Sequence, residues 1–224
     1  MQDTIKAVRS YLAREFPGRS VTCPAKDDRE EGLQDKLRLD YPATAFHVGG
    51  NSHLLYVSDV ILGDSTAGEM DTLIRRFNVA SELREVGKLP LLLTASGPLL
   101  ILDWLGPYEL TENEILTNAP CRGGVYVLVE PFGTGYWKPY VVNCHEHLNA
   151  HLQLFAHGKE RSGVCGFNYS VIDDGVPLPH VVRERVAKFL AHVYQIDDPT
   201  DSEVLSLAVN LPLNVAPWRN TTRA

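Results

Sequence analysis

The sequence predicts an α+β protein built as two small units, each a short antiparallel sheet with packed helices. Three observations lead there. Some stretches repeat apolar residues at helical spacing, while others are short β-favouring runs. Those runs come in pairs separated by Gly, Asn, Ser or Pro, as hairpins do. An irregular stretch near the middle divides the chain, and 224 residues are enough for two small cores.

The first helix rests on Ile5, Val8, Leu12 and Phe16, which share a helical face and are followed by the breakers Pro17 and Gly18. Residues 24 to 36, PAKDDREEGLQDK, carry charge, Pro and Gly without apolar rhythm and predict a surface connection. AFHVGGNSHLLYVS sets two apolar runs around Gly49, Gly50 and Asn51, which tolerate positive φ, so a hairpin is expected. Thr66 with Glu69 forms a capping box for a helix carrying Met70, Leu73, Ile74, Phe77, Ala80 and Leu83. LPLLLTASGPLLILDW predicts a second hairpin, turning at Ser96, Gly97 and Pro98. Residues 1–104 thus form the first unit, and no motif in it carries recognisable chemistry.

Residues 105–122, LGPYELTENEILTNAPCR, lack strand or helix rhythm and predict a linker. The second unit, 123–224, opens with the strands GGVYVLVE and PYVVNC, joined by the loop PFGTGYWK. HEHLNAHLQLFAH then predicts a helix and GVCGFNYSVIDDG a strand with a turn. PHVVRERVAKFLAHVYQI predicts a helix buried through Val182, Val186, Phe189, Leu190 and Val193, and DSEVLSLAV a short final helix. The order is ββαβαα.

Composition excludes several functions. At 44% hydrophobic and 22% charged, with no long apolar run, the chain predicts no membrane partner. Its charged, amphipathic start predicts a cytoplasmic location, and four scattered cysteines predict reduced thiols. The 28 acids against 21 bases give a net charge of −7, which argues against a broad basic surface for nucleic acid and suits a protein partner. A local basic groove is left open. Dinucleotide, P-loop and serine-hydrolase motifs are absent from the sequence.

The stretch NCHEHLNAHLQLFAH, residues 143 to 157, holds four of the eight histidines and one of the four cysteines. A zinc-protease HExxH would need histidine at 149, where Asn149 stands. On one helix, His147 and His151 would share a face and could meet a Zn²⁺ ion, with Cys144 or His157 as third ligand. The alternative is a solvated helix face, because Leu148, Leu152 and Phe155 already mark a core side.

GVY at 124 to 126, PYVV at 139 to 142 with a helix directly after it, and PLNV at 212 to 215 resemble the GIY-YIG nuclease family over residues 122–216. The resemblance implies two site tyrosines, Tyr126 and Tyr140, a metal-holding acid, Glu203, and a terminal asparagine, Asn214. It also implies Mg²⁺- or Mn²⁺-dependent phosphodiester hydrolysis, with a tyrosine helping to activate water. The motif has diverged. Val142 replaces the second glycine, and His151 stands near the position of the family's helical arginine, in a region without arginine between Arg122 and Arg161. Glu184 competes with Glu203 for the acid. The tyrosines also suit plain strand positions, and Asn214 a turn. Three functional classes therefore stand open: a diverged nuclease-like domain that binds or cleaves nucleic acid, a metal-binding protein, and a non-enzymatic protein-interaction module.

Overall fold

The first apolar stripe of the chain forms α1 (Gln2–Glu15), which buries Thr4, Val8, Tyr11 and Leu12 and ends as Phe16 leaves helical geometry. The computed structural model describes residues 1–23, 42–132, 137–158, 163–196 and 208–209. Contacts divide the chain into Met1–Ile101 with Gly175–Pro177, and Leu102–Asp174 with Leu178–Ala224.

In the first unit, β1 (Val21–Thr22) leads to the hairpin of β2 (Ala43–Val48) and β3 (His53–Ser58). Gly49 and Gly50 take φ of 61° and 66° in its turn, a region open to residues without a Cβ. Helices α2 (Asp59–Asp64), α3 (Ala67–Arg76) and α4 (Val79–Val86) follow, then β4 (Leu91–Thr94) and β5 (Gly97–Leu100). The sheet order is β1-β2-β3-β4-β5. Both expected hairpins are present, but the sheet is mixed rather than antiparallel, because β3 and β4 pair in parallel. The physical reason is the three-helix crossover, which returns the chain to the starting end of β3 before β4 begins.

The capping box forms as expected: Thr66 accepts from the Glu69 N–H, and the Glu69 carboxylate accepts from the Thr66 N–H at 2.7 Å. The single long helix expected after it is broken. Asn78 sits at φ 49°, a left-handed conformation that Asn tolerates, and α4 starts in a new direction that buries Val79, Ala80, Leu83 and Val86. Alternation along the strands gives the sheet two apolar faces. One carries Phe46, His53, Leu55 and Val57, with His53 meeting Phe16 and Leu83; the other carries Tyr56, Leu92 and Ile101.

The first elements of the second unit lie inside the stretch expected to be a linker. Residues 105–122 instead supply β6 (Leu105–Glu109) and α5 (Glu112–Asn118), capped by Thr111. Burial explains the difference: Tyr108 packs on Phe167 and Tyr169, and Ile115 and Ala119 enter the core, contacts no local rhythm announces. Then come β7 (Gly124–Pro131), β8 (Trp137–His145), α6 (Leu148–His157), β9 (Gly166–Val171) and α7 (Pro179–Tyr194). The sheet, β6-β9-β7-β8, is antiparallel throughout. Ala208 and Val209, placed by the sequence in a short helix, are extended, and the rest of that segment lies outside the described residues.

Strand alternation separates the layers of this unit. Tyr126, Leu128, Phe167 and Tyr169 face α5 and α6 in one core, with Leu148 and Leu152. Val125, Val127 and Cys144 point the other way, toward α7, whose Val182, Val186 and Leu190 are buried. Among the described residues no helix is long and apolar enough to cross a membrane.

Candidate functional site

The histidine-rich stretch is not one helix. Residues 137 to 145 continue the β8 ladder, Val125 pairing with Cys144 and Gly124 with His145, and α6 begins only at Leu148. His147 is therefore the N-cap residue, in extended geometry, and does not share a helical face with His151. Glycine at 124 permits the close ladder there: a Cβ would run into the Ser170 carbonyl and the Leu148 side chain. Gly123 plays the same part for Arg183, a buried guanidinium that donates to the Ile172 carbonyl at 3.0 Å.

What the fold brings together instead is His145 from the strand and His151 from the helix. Their rings stack with centroids 4.2 Å apart and planes 9° from parallel. Tyr126 lies 5.7 Å from the His151 ring, and Phe155 meets that ring edge-on at 5.1 Å. Burial lowers the pKa of His151, with the charge of His145 a further cause, so its neutral imidazole is favoured. The His147 N–H donates to His145 Nδ1 at 3.0 Å, which leaves the proton of neutral His145 on Nε2. With the proton on Nδ1, His145 would instead donate to the His147 carbonyl, 3.1 Å away.

This geometry speaks against the zinc set drawn from the sequence. Cys144 and His145 are consecutive strand residues, so the thiol faces α7 while the imidazole faces α6. Burial raises the Cys144 pKa, Glu184 on α7 adds to the rise, and Arg183 opposes it. His157 is exposed at the far end of α6, six residues or about 9 Å along the axis from His151. A metal sits in the plane of each imidazole it binds, about 2 Å from nitrogen. Two nearly parallel rings stacked face to face do not aim their lone pairs at one point. Among the described residues no group of three His, Cys, Asp or Glu side chains is placed to hold an ion.

The tyrosines implied by the resemblance are also held apart. Tyr126 is 0% exposed, its ring under His151 and Phe155. Tyr140 is 43% exposed and falls at the irregularity where Leu128 pairs with Val141 but Val129 pairs with Pro139. Glu203 and Asn214 lie outside the described residues. Glu184 is exposed on α7, behind the sheet from Tyr126.

The sequence reading passed over His145, whose role depends on whether its backbone is strand or helix. Asn149, noted only as the residue that breaks a zinc-protease motif, has a role of its own. Rather than substituting for a zinc ligand, Asn149 is buried and donates from Nδ2 to the carbonyls of Ile115 and Ala119 at the end of α5. A buried Asn at the first turn of an apolar helix is the signal that could have found it. The chain matches no protein-family model, no curated protein and no solved structure.

Proposed function

We infer that this chain is a non-enzymatic binding protein whose second unit is a diverged GIY-YIG-like domain. The observation that carries the reading is the burial of Tyr126. A general base must reach the water or hydroxyl it deprotonates, and this ring is sealed beneath His151 and Phe155. Tyr140 stands about 10 Å further along β8 from the residue opposite Tyr126, too far to share one scissile phosphate with it. His151, with its pKa lowered by burial, offers no fixed positive charge of the kind arginine gives a phosphate. The acidic balance of the chain makes a protein the favoured partner over nucleic acid.

Nucleic-acid cleavage is the second reading, favoured by one observation: the hairpin β7–β8, the helix α6 and the returning strand β9 follow the order that the resemblance implies. A single assay separates the two. Supercoiled plasmid and single-stranded RNA are incubated with the full chain and Mg²⁺ or Mn²⁺, with retention measured at about physiological salt. The binding-protein reading expects intact substrates and no retention. Metal-dependent cleavage that disappears in Tyr126→Phe would overturn it.

A further inference from the structure

The first unit carries a cavity that the histidine site does not involve. It measures about 370 Å³ and is lined, among the described residues, by Ala43, Ser58, Val60, Ile61, Leu92, Thr94, Ala95 and Ser96. That volume lies within the range of small-molecule pockets and well above the roughly 150 Å³ that accommodates benzene.

Its place follows from the chain path. Ala43 pairs with Ser58, and Tyr56 with Leu92, so Ala43, Ser58, Leu92 and Thr94 all point from one face of the sheet. β3 and β4 are parallel neighbours, and Ser58 and Thr94 are their last residues. The cavity thus opens at the carboxyl ends of a parallel pair. Ligands of open α/β sheets gather in that position because the crossover leaves a crevice there.

The wall defines the ligand. Among the described residues that line it none is ionisable, so an ion would lose its hydration without gaining a partner there. Leu92, Ile61 and Val60 supply hydrocarbon, and Val60 is 48% exposed at the rim. Thr94 Oγ1 is committed within its own turn, donating to the Gly97 carbonyl at 2.9 Å and accepting from the Ser96 N–H. The hydroxyls of Ser58 and Ser96, with no hydrogen-bond partner among the described residues, are left to meet one polar group.

We propose that the first unit binds a small neutral amphiphile, with a hydrocarbon or single-ring body and one hydroxyl or carbonyl, at the carboxyl ends of β3 and β4. The test is saturation-transfer NMR on the full chain with 1-octanol and, separately, octanoate. Octanol is expected to bind saturably, with contacts from its chain to the methyls of Val60, Ile61 and Leu92, and octanoate at least tenfold more weakly. Ala95→Trp and Ala43→Phe, which fill the cavity, are expected to weaken octanol at least tenfold while retaining the wild-type thermal transition. Unsaturable binding, contacts to other methyls, or undiminished affinity in a folded cavity-filling variant would each overturn the site. Equal binding of octanoate would overturn the neutral class of the ligand.

Discussion

His53 in the first unit and His151 in the second are both pushed toward the neutral form by burial, but they are held by different means. His53 is committed at both nitrogens: Nδ1 donates to the Leu83 carbonyl at 2.9 Å, and Nε2 accepts from Arg19 at 3.0 Å. It ties the turn after α1, the start of β3 and helix α4 into one piece. His151 is fixed by rings, stacked on His145 and flanked by Tyr126 and Phe155. The difference separates a structural histidine from one whose ring nitrogens make no hydrogen bond among the described residues. Burial does not distinguish them, since it lowers the pKa of both.

The sharpest way to break the comparison is to damage one unit alone. Gly124→Val would drive a side chain into the Ser170 carbonyl and Leu148, and is expected to cost about 3 kcal/mol. Chemical denaturation followed by amide NMR should show the loss in β7, β8 and α6 while β2 to β4 keep their protection. His53→Ala comes next. It removes the hydrogen bonds to the Leu83 carbonyl and from Arg19 and leaves a cavity under Phe16, for an expected loss of about 2 kcal/mol in urea titration.

Acid sharpens the contrast. A histidine whose folded pKa lies below its unfolded value near 6.5 binds its proton more readily when unfolded. Its contribution is fully present above that pH and is lost as the pH falls toward the depressed folded value. Both units should therefore weaken on acidification below about pH 6.5. His151→Phe keeps the aromatic packing and removes the titration, so urea midpoints measured between neutral and mildly acidic pH should flatten in the second unit only. An unchanged acid slope there would mean His151 titrates freely in the folded protein.

The smallest effect concerns the opposite face of the second sheet. Asn168 and Ser170 are completely buried on β9, and the Asn168 amide and the Ser170 hydroxyl have no hydrogen-bond partner among the described residues. Such groups lower stability, so Ser170→Ala is expected to raise the thermal midpoint, equivalent to about 1 kcal/mol. A fall in the midpoint would reveal a hydrogen bond to that hydroxyl.

Much of the first unit was legible in the sequence because its signals are local. Gly49 and Gly50 announce a turn by their backbone freedom, and Thr66 with Glu69 announces a helix start through a reciprocal bond three residues long. The break at Asn78 was not legible, since Phe77, Ala80 and Leu83 continue the helical spacing across it. In the second unit, the strands GVYVLVE and PYVVNC stood out as β-branched runs, while β6 did not. LGPYE contains Gly and Pro and becomes a strand through its pairing with β9. The candidate site was the least legible part. NCHEHLNAH fits a helix by composition, and only the ladder to Gly124 keeps Cys144 and His145 extended.

By itself the sequence determined the α+β class, both hairpins of the first unit, the capping box, the hairpin of the second unit and the apolar face of α7. Each of these depends on neighbours a few residues apart, whose spacing and stereochemistry are written directly in the chain. Tertiary structure alone decided that β3 and β4 run parallel, that residues 105 to 118 belong to a folded unit, and that His151 stacks on His145 instead of joining His147. It also decided that Cys144 turns toward α7 and that Tyr126 is sealed. Those outcomes depend on which face of a strand meets which helix. A shift of one residue in the strand-to-helix boundary reverses that choice without changing composition, so only long-range pairing can fix it.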